Sequence, residues 1–325
     1  MSETITPAPE IRETLEPVPC PLCGSTAFRP RHRMMGYTIV DCRQCGLTHV
    51  NPQPSDADLT RFYETVFHTP GWYNRFPHLR DFDYFGHAAG DEAGHQSYVE
   101  VVRRQVPRGY WLDVGCGHGR LAECAAASGY DVFGVDPNPL AVEAARQRLG
   151  SDRVFEGSVE SANLPADRFT VVSLVGTIEH LKRPLQTLRE IHRVLEPGGL
   201  VLVQTPNLAS LQYRRQGEAW EQFTPPGHLV YYTPRTLRAM LRAAGFRRVR
   251  FDMRFPLESG WDYGARGAAA PPRRGRPLGL LLGRLVSLLG SRCETAAQRL
   301  KGRLLGKHDI VCHARKPQGG RGGQG

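Results

Sequence analysis

Asp113-Val-Gly-Cys-Gly-His-Gly119 is the stretch on which the fold turns. It overlaps the end of a short apolar run, Tyr110–Val114, that reads as a strand, and precedes Leu121–Ser128, which reads as a helix. Glycines at 115, 117 and 119 let the backbone approach a ligand closely, just ahead of a helix N-terminus where unpaired N–H groups gather. Outward from there the alternation continues. Asp131–Val135, Val154–Phe155, Phe169–Val175 and Leu200–Thr205 read as strands. Leu140–Leu149 and Leu185–Leu195 read as helices, the second closing on Glu196-Pro-Gly-Gly199 as a stop signal. Strands alternating with helices predict an α/β fold, a mostly parallel sheet covered on both faces. Ligands of such sheets bind at the carboxyl ends of the strands, near the switch in strand order.

The ligand's chemistry is legible in the same loops. Seventeen residues beyond Gly119, the second strand ends in Gly134-Val-Asp136-Pro137, and a carboxylate there can accept both hydroxyls of a ribose. A glycine loop alone is weak evidence, because dinucleotide enzymes share it. Here, however, Arg120 stands where the dinucleotide fingerprint needs its last glycine. Asp113, two residues before the first glycine, would repel a pyrophosphate but can hold a cationic amino group. The pattern points to a nucleoside bearing an amino acid, without phosphates.

Composition sets the outer bounds. The 325 residues, 40% hydrophobic and 23% charged, describe a soluble globular chain with one large domain plus attachments. No apolar run reaches the ~18 residues that cross a bilayer. The acidic, Pro-rich start lacks the basic flank and apolar stretch of a secretory signal, so a cytoplasmic location is expected. The net charge of +10 suggests nucleic acid, but its distribution does not. From Arg247 onward 17 Lys and Arg face 5 Asp and Glu, whereas residues 1–246 carry a net −2. The basicity is local to one end.

Cysteines are as unevenly placed. Cys20-Pro-Leu-Cys23 and, after eighteen residues, Cys42-Arg-Gln-Cys45, each followed by glycine, have the two-knuckle spacing of a structural zinc site. Four thiolates supply the tetrahedral sulfur shell that zinc accepts, and a closed shell leaves no position for chemistry. A reducing cytosol disfavours disulfides, and a redox C-x-x-C needs only one pair. The expected role is fold-forming. Past Asn51-Pro-Gln-Pro-Ser55, aromatics crowd a run that includes Phe62, Tyr63, Phe67, Trp72, Tyr73 and Phe76. They suit either packing on the next domain or a lid over a ligand.

Several ordered motifs carry a family resemblance: LDVGCGHGR (112–120), GVDPNP (134–139), EGSVESANLP (156–165), IEHLKRP (178–184), LREIHRVLEPGGLVLVQTPN (188–207) and GHLVYYTPRTLRAMLRAAGF (227–246). From Trp111 to about Phe246 the chain resembles a class I S-adenosylmethionine-dependent methyltransferase of the small-molecule branch. The knuckles resemble those preceding this domain in a subgroup of bacterial methyltransferases associated with sugar, surface-glycan or secondary-metabolite pathways. The resemblance implies a Rossmann-like seven-stranded sheet and S-adenosylmethionine as cofactor. It implies that Asp113, Gly115 and Gly117 meet the methionine end, with Cys116 and Gly119 in the same loop. Asp136, beside Pro137, takes the ribose; Ser158 and Val159 flank the adenine; Val175 and Gly176 lie beneath the methyl donor. Three positions depart from the family pattern: Ser158 and Thr170 stand where acids are usual, and Gly176 replaces the first acid of a metal-holding E-x-x-E-H string. Metal dependence is therefore not carried over to Glu179-His180.

A methyltransferase of this kind must align a nucleophile, exclude water and remove a proton where the acceptor needs it. His180, by the family pattern, and His228, ahead of Tyr231-Tyr-Thr-Pro, are the candidate bases; either can instead be a structural hydrogen bond near the cleft. Trp220, Phe223 and Tyr231 are expected to shape the pocket. Cys116 has no adjacent base that would make it a nucleophile. The expected organisation is a disordered 1–17, a zinc ribbon at 18–52, aromatic-rich lid and linker helices at 53–106, a methyltransferase domain at 107–316 and a disordered 317–325. An insert at 256–306 combines a basic loop with a leucine-faced segment, 278–305, suited to a peripheral membrane contact, a dimer interface or packing on the domain. The acceptor is expected to be a small molecule: a sugar, glycan or secondary-metabolite intermediate. An RNA base gripped by the ribbon, and a non-catalytic zinc-ribbon interaction protein, are the alternatives. Nucleic acid is disfavoured by the near-neutral ribbon and core.

Overall fold

The computed structural model describes residues 14–67, 69–76, 79, 92–252 and 309–318. Strands β1 (Leu15–Glu16), β2 (Phe28–Met34), β3 (Tyr37–Cys42), β4 (Thr48–Val50) and β5 (Gln53–Pro54) form the N-terminal part. Helices at Asp56–Thr65, Pro70–Tyr73 and Glu92–Arg103 follow. The large sheet then uses β6 (Tyr110–Val114), β7 (Asp131–Asp136), β8 (Val154–Glu156), β9 (Phe169–Val175) and β10 (Leu195–Pro206). After β11 (Val230–Tyr231), the pair β12 (Arg247–Phe251) and β13 (Asp309–Arg315) completes it. The order is β12-β13-β10-β9-β6-β7-β8, seven strands with only β13 antiparallel to its neighbours.

The central strands are apolar on both faces because helices cover both sides. Leu200, Val201, Leu202 and Val203 are all fully buried. Helix starts carry their own stop-and-start chemistry. Asn138 accepts the Ala141 N–H at the start of Pro139–Leu149, and Thr233 with Thr236 forms a reciprocal cap on Pro234–Ala243. Chain order reverses at β6: β7 and β8 extend one way, and the chain returns to lay β9 on the other side. The switch in strand order therefore lies between β6 and β9, and ligands of such sheets bind at the carboxyl ends of the strands there.

Two local expectations need correction. Glu196–Gly199 does not separate helix from strand, because β10 begins at Leu195, directly after the helix Pro184–Val194. The four residues form an irregularity inside β10 between the Leu195–Phe169 and Leu200–Val171 pairs, with Gly198 at φ +86°. The start of the chain is not disordered through residue 17 either, since Leu15–Glu16 pairs antiparallel with Gln53–Pro54. The insert at 256–306, including the leucine-faced segment 278–305, lies outside the described residues. No described helix is long and apolar enough to cross a membrane.

The ribbon is joined to the large domain by packing. A second sheet runs β11-β4-β3-β2, so a strand from residues 230–231 completes the ribbon's own sheet. Cys20, Ile39, Cys42, Leu47 and Val50 share one apolar core with Trp220, Phe223, Leu229, Val230 and Tyr232. Leu47 and Val50 are fully buried there, each contributing about 2 kcal/mol of transfer free energy. Arg31 on β2 donates to the Tyr213 hydroxyl at 2.5 Å and to Asp41 at 2.7 Å, fastening the helix Leu211–Gln216 to the ribbon.

Candidate active site

The glycine loop closes the carboxyl end of β6. Gly115, Gly117 and Gly119 all have positive φ, at +71°, +50° and +78°, a region that side chains disfavour. A Cβ at Gly115 would sit 2.5 Å from the Thr177 hydroxyl, so the loop also needs glycine for space. Asp136, at the end of β7, is buried with both oxygens occupied: it accepts the N–H of Gly117 and that of Asn138, each at 2.9 Å. Burial raises its pKa while these two amides oppose the rise. Beside it, Pro137 leads into the Asn138 cap.

Asp113 is held by a relay the sequence did not announce. The Trp111 indole donates to the Ser173 hydroxyl at 2.7 Å, and Ser173 donates to Asp113 at 2.6 Å. The only hint was a serine among the buried apolar residues Val171, Val172 and Leu174 of the same strand. Burial pushes Asp113 up to about 7; Ser173 opposes the shift and the Asp136 charge adds to it. Val159 is buried in the core, whereas Ser158 is exposed in a turn whose amide donates to Ser161 at 2.9 Å. Val175 and Gly176 end β9, and the Gly176 N–H donates to the Gln204 carbonyl at 3.2 Å. Cys116 is buried, and burial with the charges of Asp136 and Asp113 raises its thiol well above the ordinary value. It is no thiolate nucleophile.

Beyond β9 the chain brings Glu179, His180 and His228 together, with one nitrogen or oxygen from each lying within 4.8 Å of the others. Both imidazoles keep a partly exposed edge. His180 Nδ1 donates to the Gly227 carbonyl at 2.6 Å, and the Gly176 carbonyl also bears on the ring. His228 Nδ1 donates to the Gln222 carbonyl at 2.8 Å. A carbonyl only accepts, so both Nδ1 atoms carry protons and His228 Nε2 is left with its lone pair. Burial lowers His180 to about 4 and His228 to about 3, the neighbouring His180 adding to the second shift. Glu179 accepts the Thr205 hydroxyl at 2.9 Å, and burial pushes its carboxyl up to about 8. The trio suits proton handling.

Two aromatic rings, Tyr63 on the helix Asp56–Thr65 and Phe67 just past it, meet the His180 ring. The Tyr63 hydroxyl donates to the Gly227 carbonyl at 3.0 Å, and the Phe67 ring meets His180 edge-on at 5.4 Å. Phe62, Trp72, Tyr73 and Phe76 pack among themselves. Tyr63 ties to the cofactor side as well, its carbonyl accepting from the Asn138 amide at 2.7 Å. Trp220, Phe223 and Tyr231 are buried and stack edge-to-face below. Two further groups had no sequence signal. The Gln204 side-chain oxygen and the Tyr232 hydroxyl are buried without a hydrogen-bond partner among the described residues.

At the other end, the four cysteine sulfurs lie within 4.8 Å of one another, and the Cys20–Cys45 and Cys23–Cys42 pairs are 3.5 Å apart. Tetrahedral zinc with bonds of ~2.3 Å spaces sulfurs at about 3.8 Å, so the arrangement fits that cation. Gly24 and Gly46, at φ +73° and +79°, turn their N–H groups back to the Cys20 and Cys42 carbonyls.

Comparison with known proteins gives the same answer as the fold. A family model described as a methyltransferase domain matches residues 92–250. The ubiquinone biosynthesis O-methyltransferase of Cereibacter sphaeroides is 31% identical over 167 residues, 48% of this chain and 68% of that protein. The mitochondrial ubiquinone biosynthesis O-methyltransferase of Schizosaccharomyces pombe is 35% identical over 101 residues, 29% of this chain but only 36% of that protein. Among solved structures, a Burkholderia thailandensis 1,6-didemethyltoxoflavin-N1-methyltransferase with bound S-adenosylhomocysteine aligns at TM-score 0.49 and 17% identity, covering 89% of this chain and all of that one.

Proposed function

We propose, from the premise that this chain belongs to the class I S-adenosylmethionine-dependent methyltransferases, that it methylates an oxygen of a small-molecule acceptor, with His228 as general base. The observation that carries the reading is the pairing of His228 Nδ1 with the Gln222 carbonyl, which fixes the tautomer and leaves Nε2 free to take a proton. Its partly exposed ring sits beside the aromatic lid, and the O-methyltransferase relatives support oxygen as the acceptor atom.

S-adenosylmethionine supplies an already activated methyl group when bound. The chain's own residues bind, orient and exclude water. Asp113 holds the amino group, Asp136 the ribose, Ser158 and Val159 flank the adenine, and the glycine loop makes room. Cys116, Gly119 and Pro137 complete these walls, with Val175 and Gly176 beneath the reacting end. Tyr63 and Phe67 exclude water above the histidines. His180, whose Nδ1–H is committed to Gly227, orients the Gly227–His228 turn. The four-cysteine centre holds zinc. A sugar, glycan or secondary-metabolite intermediate is the acceptor class that the knuckle-bearing arrangement supports.

Calorimetry with S-adenosylmethionine tests the cofactor half: saturable binding that weakens sharply in Asp136→Ala is expected. No binding, or binding indifferent to Asp136, would sink the catalytic reading. Labelled methyl transfer into separated small-molecule and RNA fractions of a cell extract tests the acceptor half, and label in the RNA alone would overturn it.

A further inference from the structure

The ribbon reaches the acceptor site through a continuous set of backbone hydrogen bonds. β4 pairs antiparallel with β11, His49 opposite Val230 and Thr48 opposite Tyr231. The Val50 N–H donates to the Leu229 carbonyl at 2.9 Å, and the Leu229 N–H donates to the Glu179 carbonyl at 2.8 Å. Leu229 is the residue after His228, and Glu179 the residue before His180. Leu229, directly after His228, is thus pinned by the ribbon through its carbonyl and by the short 3-10 turn Ile178–His180 through its N–H.

β4 has only three residues, each paired with β3, and the turn that joins the two strands is the second cysteine knuckle. The Cys42 N–H donates to the Leu47 carbonyl at 2.8 Å and the Gly46 N–H to the Cys42 carbonyl at 3.0 Å, so β4 leaves the sulfur centre after a single tight turn. Without a cation the two knuckles lose the metal–sulfur bonds that tie them together, and the turn that aims β4 loses its anchor. Tyr232, fully buried, packs in the same apolar core as Cys20 and Cys42. Asp113 and Asp136 are held separately, by β6, β7 and β9.

We infer that the four-thiolate centre is a positioning element of the acceptor site: with zinc bound, β4 fixes Leu229 and thereby the placement of His228. This rests on the proposed function for the role of His228, but the coupling itself is a statement about the backbone. It assigns the ribbon a part in the reaction that a fold-forming role alone does not include.

The experiment uses full-length, zinc-loaded protein, the same protein after chelation, Cys42→Ser, and Val50→Pro, which removes the N–H given to Leu229 without touching a thiolate. Metal content, hydrogen exchange of the 222–232 segment, calorimetric affinity for S-adenosylmethionine and labelled methyl transfer into the small-molecule fraction of an extract are read together. Zinc loss is expected to speed exchange in 222–232 and lower the transfer rate by up to about 100-fold, as a misplacement of ~1 Å does, with cofactor affinity held within about threefold. Val50→Pro is expected to keep its zinc and reproduce the same split. Unchanged exchange in 222–232 on zinc loss would overturn the inference. So would a parallel loss of cofactor binding, which would make zinc a prop of the whole fold. If exchange responds to zinc while the intact protein labels no fraction, the coupling stands and the methyltransferase reading fails instead.

Discussion

The rings of His180 and His228 meet nearly edge-on, centroids 4.8 Å apart and planes at 71°, each with Nδ1 spent on a different backbone carbonyl. The shared arrangement hides a division of roles. His180 Nδ1 is held by the Gly227 carbonyl and His228 Nδ1 by the Gln222 carbonyl, and in the proposed mechanism the first ring orients and the second takes the proton.

His228→Ala is expected to cut kcat by about 10²- to 10⁴-fold while calorimetric affinity for S-adenosylmethionine stays unchanged. Because burial keeps the imidazole neutral down to about 3, the rate of the intact protein should show no acid limb between pH 5 and 7 from this group. A His228→Ala protein that turns over at the normal rate would remove the base from the mechanism.

Asp113, with its pKa pushed up to about 7, is half protonated at neutral pH before the cofactor binds. A cationic amino group beside it favours the charged form, so cofactor binding should expel a proton. Affinity is then expected to rise as pH climbs from 6 to 8 and level off above, and Asp113→Asn should flatten the profile. Calorimetry in buffers of different ionisation enthalpy measures the proton directly; none released at pH 7 would contradict the assignment.

Glu179 makes the opposite use of burial. Its folded pKa, about 8, lies above the unfolded value, so between about 4.5 and 8 the folded state binds more protons. Stability from this group is present at the low end and lost as pH rises through that window, by about 1.4 kcal/mol for each step of one in pH. Glu179→Gln is expected to flatten the decline and raise the melting temperature at pH 8 more than at pH 5. Equal gains at both would mean the carboxyl is ionised throughout.

Gln204 buries an amide oxygen with no partner among the described residues, 3.8 Å from where a Cβ on Gly176 would be. An orphaned acceptor costs about 1–3 kcal/mol, a cost that function can explain. Gln204→Leu is expected to raise the melting temperature and weaken methyl transfer together, the acceptor KM or cofactor affinity showing which ligand uses the amide. A variant both more stable and fully active would leave Gln204 without a role.

What the sequence by itself determined was whatever a local pattern can encode. Alternating strands and helices, three glycines at β6, an acid closing β7 and two C-x-x-C knuckles need no partner to be read, because turn, helix start and metal spacing are short-range requirements. Tertiary structure decided what depends on distant groups meeting. Ser173 counts only because β9 lies beside β6 and aims its hydroxyl at Asp113. The tautomers of His180 and His228 rest on the carbonyls of Gly227 and Gln222, which no spacing rule connects to an imidazole. The irregularity at Glu196–Gly199 looked like a stop because Pro and Gly end helices; pairing of Leu195 with Phe169 starts the strand before it. Even the ribbon changed meaning. Its four cysteines read as a small independent fold, and only the pairing of β4 with β11, across some 180 residues of chain, makes it part of the site. Local propensity sets the elements; the burial of their faces against one another sets which side chains share a cavity.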